Sequence, residues 1–385
     1  MSVSEALNKL MDETISLSNE YISVSKALGR VCVDDILAVK DLPCFDNSAL
    51  DGYAIKYDKQ EDGYVVIGES FAGDKTQLSI KENECVKIMT GAKFPLGADT
   101  VLRLEDSEIK NGKIYPIKAF KKGDAHRLKG EEVKINDILI AKHTTLTPAH
   151  IMMLNAQGIT HINVKSRPKI AIFSSGDEVR EPWNYANDDK IYNANSGGIA
   201  ALLLSQNYKS SYLGIIKDDL NQTIKSISNA QNYDVIICSG GASKGEADYM
   251  KKALLALGYS EIFDHIKIRP GAPTKAYVKD KKIVFILPGN PMAAFLMTFF
   301  VVLPFLNNKE HEKFQAILQN DIKVKSGRQN VVLGNYKDGK FYIYNENNYG
   351  SGMITPLMKS NAILLTECEI SDIKSGEIIK IYRIS

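Results

Sequence analysis

Three glycine-bearing strings hold most of the polar groups in this 385-residue chain that could do chemistry. They are Gly176-Asp177-Glu178, the stretch from Gly240 to Asp248, and Leu287-Pro288-Gly289-Asn290-Pro291. Each directly follows an apolar, β-rich run: KIAIFSS, DVIICS and IVFIL. Gly240 and Gly241, with Ala242, Ser243 and Gly245, have two readings. They close a tight strand-to-helix turn, or their bare backbone N–H groups and the next helix N-terminus grip a phosphate or another oxyanion. Lys244 in the same loop puts a cation where the helix dipole favours acids, which suits a nearby anion. In the third string two prolines bracket Gly289-Asn290, fixing the backbone where folding alone does not ask for it. The helix expected next, MAAFLMTFFVVL, is apolar all round and therefore buried, with its unpaired N–H groups turned to that loop.

Carboxylates form a second theme. Asp177, Glu178, Asp218, Asp219, Glu246 and Asp248 would all fall near one sheet edge if the apolar runs are neighbouring strands. Acids around a phosphate loop repel the ligand unless a hard cation lies between them. Mg²⁺, held by one or two carboxylates plus phosphate oxygens, is the usual one. Taken singly, each acid is equally an ordinary solvated rim residue. Neither a G-x-x-x-x-G-K-[ST] loop nor a helix-opening G-x-G-x-x-G occurs, so the standard nucleotide motifs do not explain the set.

These groups need a frame. Apolar strands alternating with helices over 167–308 predict a doubly wound parallel sheet, with the three loops gathered at the strands' carboxyl ends. An N-terminal helix is expected from Ser2, with Glu5 completing a capping box and Val3, Leu7, Leu10 and Thr14 on one face. Residues 1–40 group with a connector at 133–166. That connector holds a strand at 138–141 and a helix with Thr147 as N-cap, Pro148 at its first position and Gly158 at its stop. Residues 41–132 carry short strands between turns and read as a small β-rich domain. Residues 309–385 return to strands: KFYIYNE, AILLTEC and EIIKIYRI. A chain this long holds several domains at roughly 100–200 residues each.

Composition excludes other classes. Lys plus Arg number 48 against 46 for Asp plus Glu, a net charge of +2 that leaves no footprint for nucleic acid or an anionic membrane. The five cysteines show no C-x-x-C and the six histidines no H-x-x-x-H, which argues against disulfides and a thiolate or histidine zinc site. The longest apolar run, 292–306, is interrupted by Thr298 and Pro304 and falls short of the ~20 residues that span a bilayer. The N-terminus lacks a signal pattern. A soluble, cytoplasmic protein is expected.

A fourth string is the densest: Asp46-Asn47-Ser48-Ala49-Leu50-Asp51-Gly52-Tyr53-Ala54. Alone it could be an Asx turn before a strand. It is followed in order by IMTGA (88–92), GADTVLRLED, GEEV, FSSGDEV, IYNAN, GIIKDD, SGGASKGEAD, RPGAP and LPGNP. Together these closely resemble the MoeA family of molybdopterin molybdotransferases, to which the E domain of gephyrin also belongs. GSGMITPLMKSNAILL (350–365) resembles the family's last domain, so the likeness spans nearly the whole chain.

The resemblance implies an elongated α/β multidomain homodimer: a molybdopterin-binding domain, a β-rich insertion, a connector and a C-terminal β-barrel-like domain. It implies insertion of molybdenum from molybdate into adenylylated molybdopterin, with Mg²⁺ (or Zn²⁺) and release of AMP. The pathway partners would be an adenylyltransferase upstream and molybdoenzymes or cofactor-delivery proteins downstream. By position, Asp51, Glu178, Asp218 and Asp248 correspond to catalytic acids, with Asp51 reaching a neighbouring subunit's cleft and Glu178 and Asp248 on the metal. Thr90, Asp177, Gly240, Gly241, Ser243, Arg269, Pro288, Asn290, Pro291 and Ser351 match substrate-binding positions. The upstream adenylyltransferase shares the α/β domain but lacks the 46–54 string, and a non-catalytic scaffold would tolerate loss of the acids retained here.

This chain also departs from the pattern. The family's Lys-Pro-Gly-Lys-Pro is Arg269-Pro270-Gly271-Ala272-Pro273 here, and Lys275 or Lys244 is expected to restore the lost cation. Glu132 replaces an aspartate. Leu333 stands where the family carries an arginine, with Arg328 nearby.

Overall fold

The computed structural model describes residues 1–57, 62–241 and 246–384, without the side chains of 246–248. They form two compact units: residues 18–166, and residues 1–17 together with the chain from 167 onward.

The second of these units begins with helix α1 (Val3–Met11). The capping box forms: Glu5 N–H donates to Ser2 Oγ at 3.2 Å, and Ser2 N–H to the Glu5 carboxylate at 2.6 Å. The helix stops before Thr14, so its buried face is Val3, Ala6, Leu7 and Leu10. That face joins the core around Phe299 and Phe300. On this evidence of packing α1 parts company after Leu17 from the strand Asn19–Ser23, which pairs with His161–Lys165 in the other unit.

Six strands build the central sheet: β1 (Ile170–Ser175), β2 (Ser210–Ile216), β3 (Val235–Ser239), β4 (Ser260–Phe263), β5 (Lys275–Lys279) and β6 (Lys282–Leu287). Their order is β2-β1-β3-β6-β5-β4. The first four are parallel, as the apolar runs predict. Alternation along them feeds two cores: Ile170, Ile172, Val235 and Ile237 face one, while Ala171, Phe173, Ile236 and Cys238 face the other. Helix α2 (Asn195–Ser205) covers the first face through Ile199, Leu202 and Leu203. Helices α3 (Leu220–Asn229) and α4 (Glu246–Ala256) cover the second through Ile227, Met250 and Leu254. Helix α4 starts at Glu246.

The edge departs from a purely parallel sheet, because β5 runs antiparallel to both β6 and β4. Lys279 pairs with Lys282, leaving Asp280 and Lys281 as a two-residue turn with φ of 49° and 62°. Two residues suffice for a hairpin, whereas a parallel partner needs a crossover of a dozen or more. Beyond β6, helix α5 (Pro291–Met297) continues through a π-helical turn, Thr298–Val302, into Leu303–Asn307. The segment is nearly all buried, as its composition requires.

The same unit ends in a closed barrel of five strands: Gln329–Lys337, Lys340–Ile343, Phe314–Leu318, Ile378–Arg383 and Ala362–Leu365, which pairs back to the first. The short strand Ile268–Arg269 runs parallel to the first, Arg269 opposite Asn330. The other unit holds a four-stranded sheet of Val65–Ser70, Glu84–Ile88, Gly52–Ile55 and Thr100–Arg103. Its helix Pro148–Ala156 starts at Thr147, whose hydroxyl accepts from His150 N–H, and Gly158 follows its end at φ 74°. Among the described residues no helix is long and apolar enough to cross a membrane.

Candidate active site

The carboxyl ends of β1, β3 and β6 enclose a cavity of about 340 Å³. Glu178, Asn193, Asn195, Gly240, Gly241 and residues 288–291 are in its wall. Parallel neighbours bring the chain so close here that only glycine fits at 240. Its φ is 98°, and a Cβ would sit 2.5 Å from the Ser175 carbonyl oxygen. Its N–H donates to the Leu287 carbonyl at 3.1 Å, tying the second loop to the third. Gly176, at φ 132°, lies under the Glu178 carboxylate, whose oxygens would be 2.7 and 2.8 Å from an added Cβ.

A buried polar chain braces this edge. Ser174 O–H and Ser196 N–H donate to Asn193 Oδ1 at 2.9 and 3.2 Å, which caps α2 from one residue outside its N-cap. Asn193 Nδ2 donates to the Tyr212 hydroxyl oxygen at 2.8 Å, and Tyr212 O–H donates to Glu181 at 2.7 Å. Burial first, then the Glu181 carboxylate, push the Tyr212 phenol well up, so it remains the donor. Asn195 Nδ2 donates both to Ser239 Oγ at 2.8 Å and to the Gly289 carbonyl at 2.7 Å. Sequence reasoning passed over both asparagines and Tyr212. The signal was a pair of asparagines opening a helix in IYNAN, without the acidic or glycine-rich character that marked the other loops.

A second cavity, of about 830 Å³, adjoins the first. Pro273, Pro288 and Asn290 line both. Four cations are in the wall of the larger one, Arg269, Lys323, Lys325 and Arg328, with no acidic side chain among the described lining residues. Asn330 Nδ2 donates to the carbonyls of Lys325 and Arg328 at 2.9 and 3.0 Å, which fixes the segment carrying three of them. Arg328 Nε is buried and has no hydrogen-bond partner among the described residues. A buried guanidinium N–H left unpaired is costly, so the position calls for an anion. Tyr349 completes this wall; burial pushes its phenol up to about 12, and its oxygen accepts from Leu333 N–H at 2.6 Å.

The predicted residues thus divide. Glu178, Gly240, Gly241 and Pro291 line the smaller cavity, Arg269 and Ser351 the larger, and Pro288 and Asn290 both. Asp177 lines a separate cavity of about 430 Å³ with Lys190 and Lys217. Asp218 is half-buried at the turn after β2 and is in neither cavity wall. Lys275 opens β5 opposite Ile286 and is in neither cavity wall. Lys323, Lys325 and Arg328 stand in the wall instead. Leu333 is a fully buried core residue. Ser243 and Lys244 lie outside the described residues, as does the side chain of Asp248. In the other unit Asp51 and Thr90 meet: Thr90 N–H and O–H both donate to Asp51 Oδ1 at 2.7 Å. Those bonds hold the Asp51 carboxyl below its usual range.

The chain matches the MoeA N-terminal region (domain I and II) over residues 1–158, a probable molybdopterin binding domain over 171–308 and the MoeA C-terminal region (domain IV) over 315–384. A molybdopterin molybdenumtransferase of Haemophilus influenzae is 30% identical over 99% of this chain and 98% of its own length. One from Staphylococcus epidermidis is 28% identical over 99% and 95%. The crystal structure of the molybdopterin biosynthesis moeA protein from Pyrococcus horikoshii OT3 superposes with a TM-score of 0.83 at 27% identity, covering 100% of this chain and 99% of that one.

Proposed function

The chain belongs to the MoeA family of molybdopterin molybdenumtransferases, enzymes of molybdenum cofactor biosynthesis, and we propose that it transfers molybdenum from molybdate to adenylylated molybdopterin with release of AMP. One observation carries the detail: a glycine- and amide-lined cavity with one carboxylate among its described residues shares a wall with a cavity whose described residues include four cations. The first suits a phosphate linkage, through Gly240 and Gly241 and, in this reading, Ser243. The second suits a small tetrahedral oxyanion, held by Arg269 and Arg328 with Ser351 at its rim. Sharing Pro288 and Asn290 would put the two anions next to each other, one against glycine backbone and amide groups and the other against cations.

The reading includes Mg²⁺, with Zn²⁺ as an alternative, held by Glu178 and Asp248. No group of three or more His, Cys, Asp or Glu converges among the described residues. A single described carboxylate beside the glycine loops fits an ion that draws its other ligands from phosphate and water. Bound there, such an ion would supply positive charge against the phosphate linkage. The chain's own residues orient the pterin phosphate, hold the oxyanion and present Glu178 at the cavity. The dithiolene of the substrate takes the molybdenum, so thiolate ligands are not needed from the protein. Burial fits this, pushing the Cys85 and Cys238 thiols up to about 12.

Further parts of the reading are a cytoplasmic homodimer, with Asp51, primed by Thr90, serving the cavity of the neighbouring subunit, and Asp177 and Asp218 lending supporting charge. The domain limits 1–40 (with 133–166), 41–132, 133–166, 167–308 and 309–385 also belong to it. The test is incubation with adenylylated molybdopterin, Mg²⁺ and molybdate, following AMP. Molybdate-dependent AMP release is expected; folded protein that releases none sinks the proposal. Mixing Asp51→Asn with Glu178→Gln subunits should restore part of the activity through one hybrid site, and hybrid dimers without rescue would rule out sharing.

A further inference from the structure

The 288–291 loop is a wall with a cavity on each side, and side chains facing different cavities hold it. From the smaller cavity, Asn195 Nδ2 donates to the Gly289 carbonyl at 2.7 Å and to Ser239 Oγ at 2.8 Å. The Ser239 hydroxyl in turn donates to the Pro288 carbonyl at 3.3 Å. From the larger cavity, Ser351 Oγ accepts from Asn290 Nδ2 at 2.8 Å, and its carbonyl from Met292 N–H at 3.2 Å. Asn195 lines only the smaller cavity and Ser351 only the larger.

Pro288 and Pro291 remove two φ rotations from this short loop, so a displacement at Gly289 is not absorbed locally. It is passed to Pro288 and Asn290, which face the larger cavity. The clamp itself is rigid. Asn195 is the first residue of α2, and Asn193 Oδ1 fixes that helix end through Ser196 N–H. Without its donor the Gly289 carbonyl must find water or move.

We infer that Asn195 is a positioning residue for the oxyanion cavity, a cavity it does not touch, acting through the Gly289 carbonyl and the proline-bounded loop. The inference rests on the reading of the larger cavity as an oxyanion site.

The experiment is molybdate uptake by equilibrium dialysis with no pterin present, on wild type, Asn195→Ala, Asn195→Asp and the exposed control Asn187→Ala. Unfolding curves select folded variants. Asn195→Ala should weaken molybdate binding about tenfold, the scale of one lost hydrogen bond. Asn195→Asp should lose at least as much, because a carboxylate of the same size cannot donate and would face the Gly289 oxygen. Asn187→Ala should match wild type. If Asn195→Asp binds like wild type, the role is packing and the inference fails. It fails equally if both Asn195 variants bind like the control. Wild type that takes up no molybdate would instead overturn the oxyanion reading beneath it.

Discussion

The two cavities on either side of the 288–291 loop are built by opposite means. The smaller takes its polar groups from the ends of neighbouring parallel strands, and its working parts are backbone, amide and one carboxylate. The larger is walled by side-chain cations from segments far apart in sequence, the 268–273 stretch and the 323–330 stretch. Pairing of Ile268 and Arg269 with Gln329 and Asn330 brings these segments together. Backbone sites tolerate little change in residue type, because close approach sets the geometry. Side-chain sites let charge move from one position to another. Among the described lining residues of the larger cavity four cations stand beside Ala272, while Leu333 is buried in the core.

The sharpest way to break this comparison is at Glu178. Glu178→Gln should lower molybdate-dependent AMP release on the order of a hundredfold, the scale of a lost acid-base or metal-binding carboxylate. Molybdate uptake should stay unchanged, since the residue lines only the smaller cavity and, unlike Asn195, makes no hydrogen bond to the 288–291 loop among the described residues. Equal losses in both assays would erase the division of labour.

Gly240→Ala tests the backbone side. A Cβ placed 2.5 Å from a carbonyl oxygen at positive φ should cost at least about 2 kcal/mol of unfolding free energy. Denaturant titration measures it, and an unchanged midpoint would show that β1 and β3 have room to part.

Arg328→Ala tests the side-chain side. Molybdate affinity should fall roughly tenfold or more, since hydrogen bonds to charged groups are worth about 1.5–3 kcal/mol. Arg328→Lys should recover only part, because lysine restores charge without the planar fork. Full recovery in the lysine variant would reduce the buried Nε to a bystander.

The smallest effects separate Lys325 from Lys275. Lys325→Ala should weaken molybdate binding a few-fold, more at low salt than at high, as expected of a partly exposed charge. Lys275→Ala should change it less than about twofold, on the scale of a screened remote charge. The reverse ranking would return the compensation for Ala272 to the start of β5.

Much of the frame was legible before any coordinates. The Ser2–Glu5 capping box and the Thr147–Pro148 helix start depend on partners three residues apart, and both formed. The apolar runs of β1, β3 and β6 announced strands buried on both faces, and parallel strands must gather the loops at their carboxyl ends. Glu178, Gly240, Gly241, Pro288 and Asn290 could therefore be named from local composition. Even the antiparallel edge had a cue in Asp280-Lys281, a turn of two residues between apolar runs.

Charge placement in the larger cavity had no such cue. Lys275 stands two residues past Pro273, but spacing along a strand start does not say which way a side chain is carried. Its register opposite Ile286 decided that. Lys323, Lys325 and Arg328 look like ordinary surface cations in a polar stretch until a strand pairing across some sixty residues sets them beside Arg269. The asparagine clamp is of the same kind, since Asn195 meets Ser239 and Gly289 only where two strand ends and a helix start coincide. Hydrogen bonds within a turn are written in adjacent residues, so the sequence by itself determined the caps, the buried strands and the glycine loops. Contacts between distant segments depend on how whole elements pack, and only the tertiary structure decided which cations share a wall and which amide holds it in place.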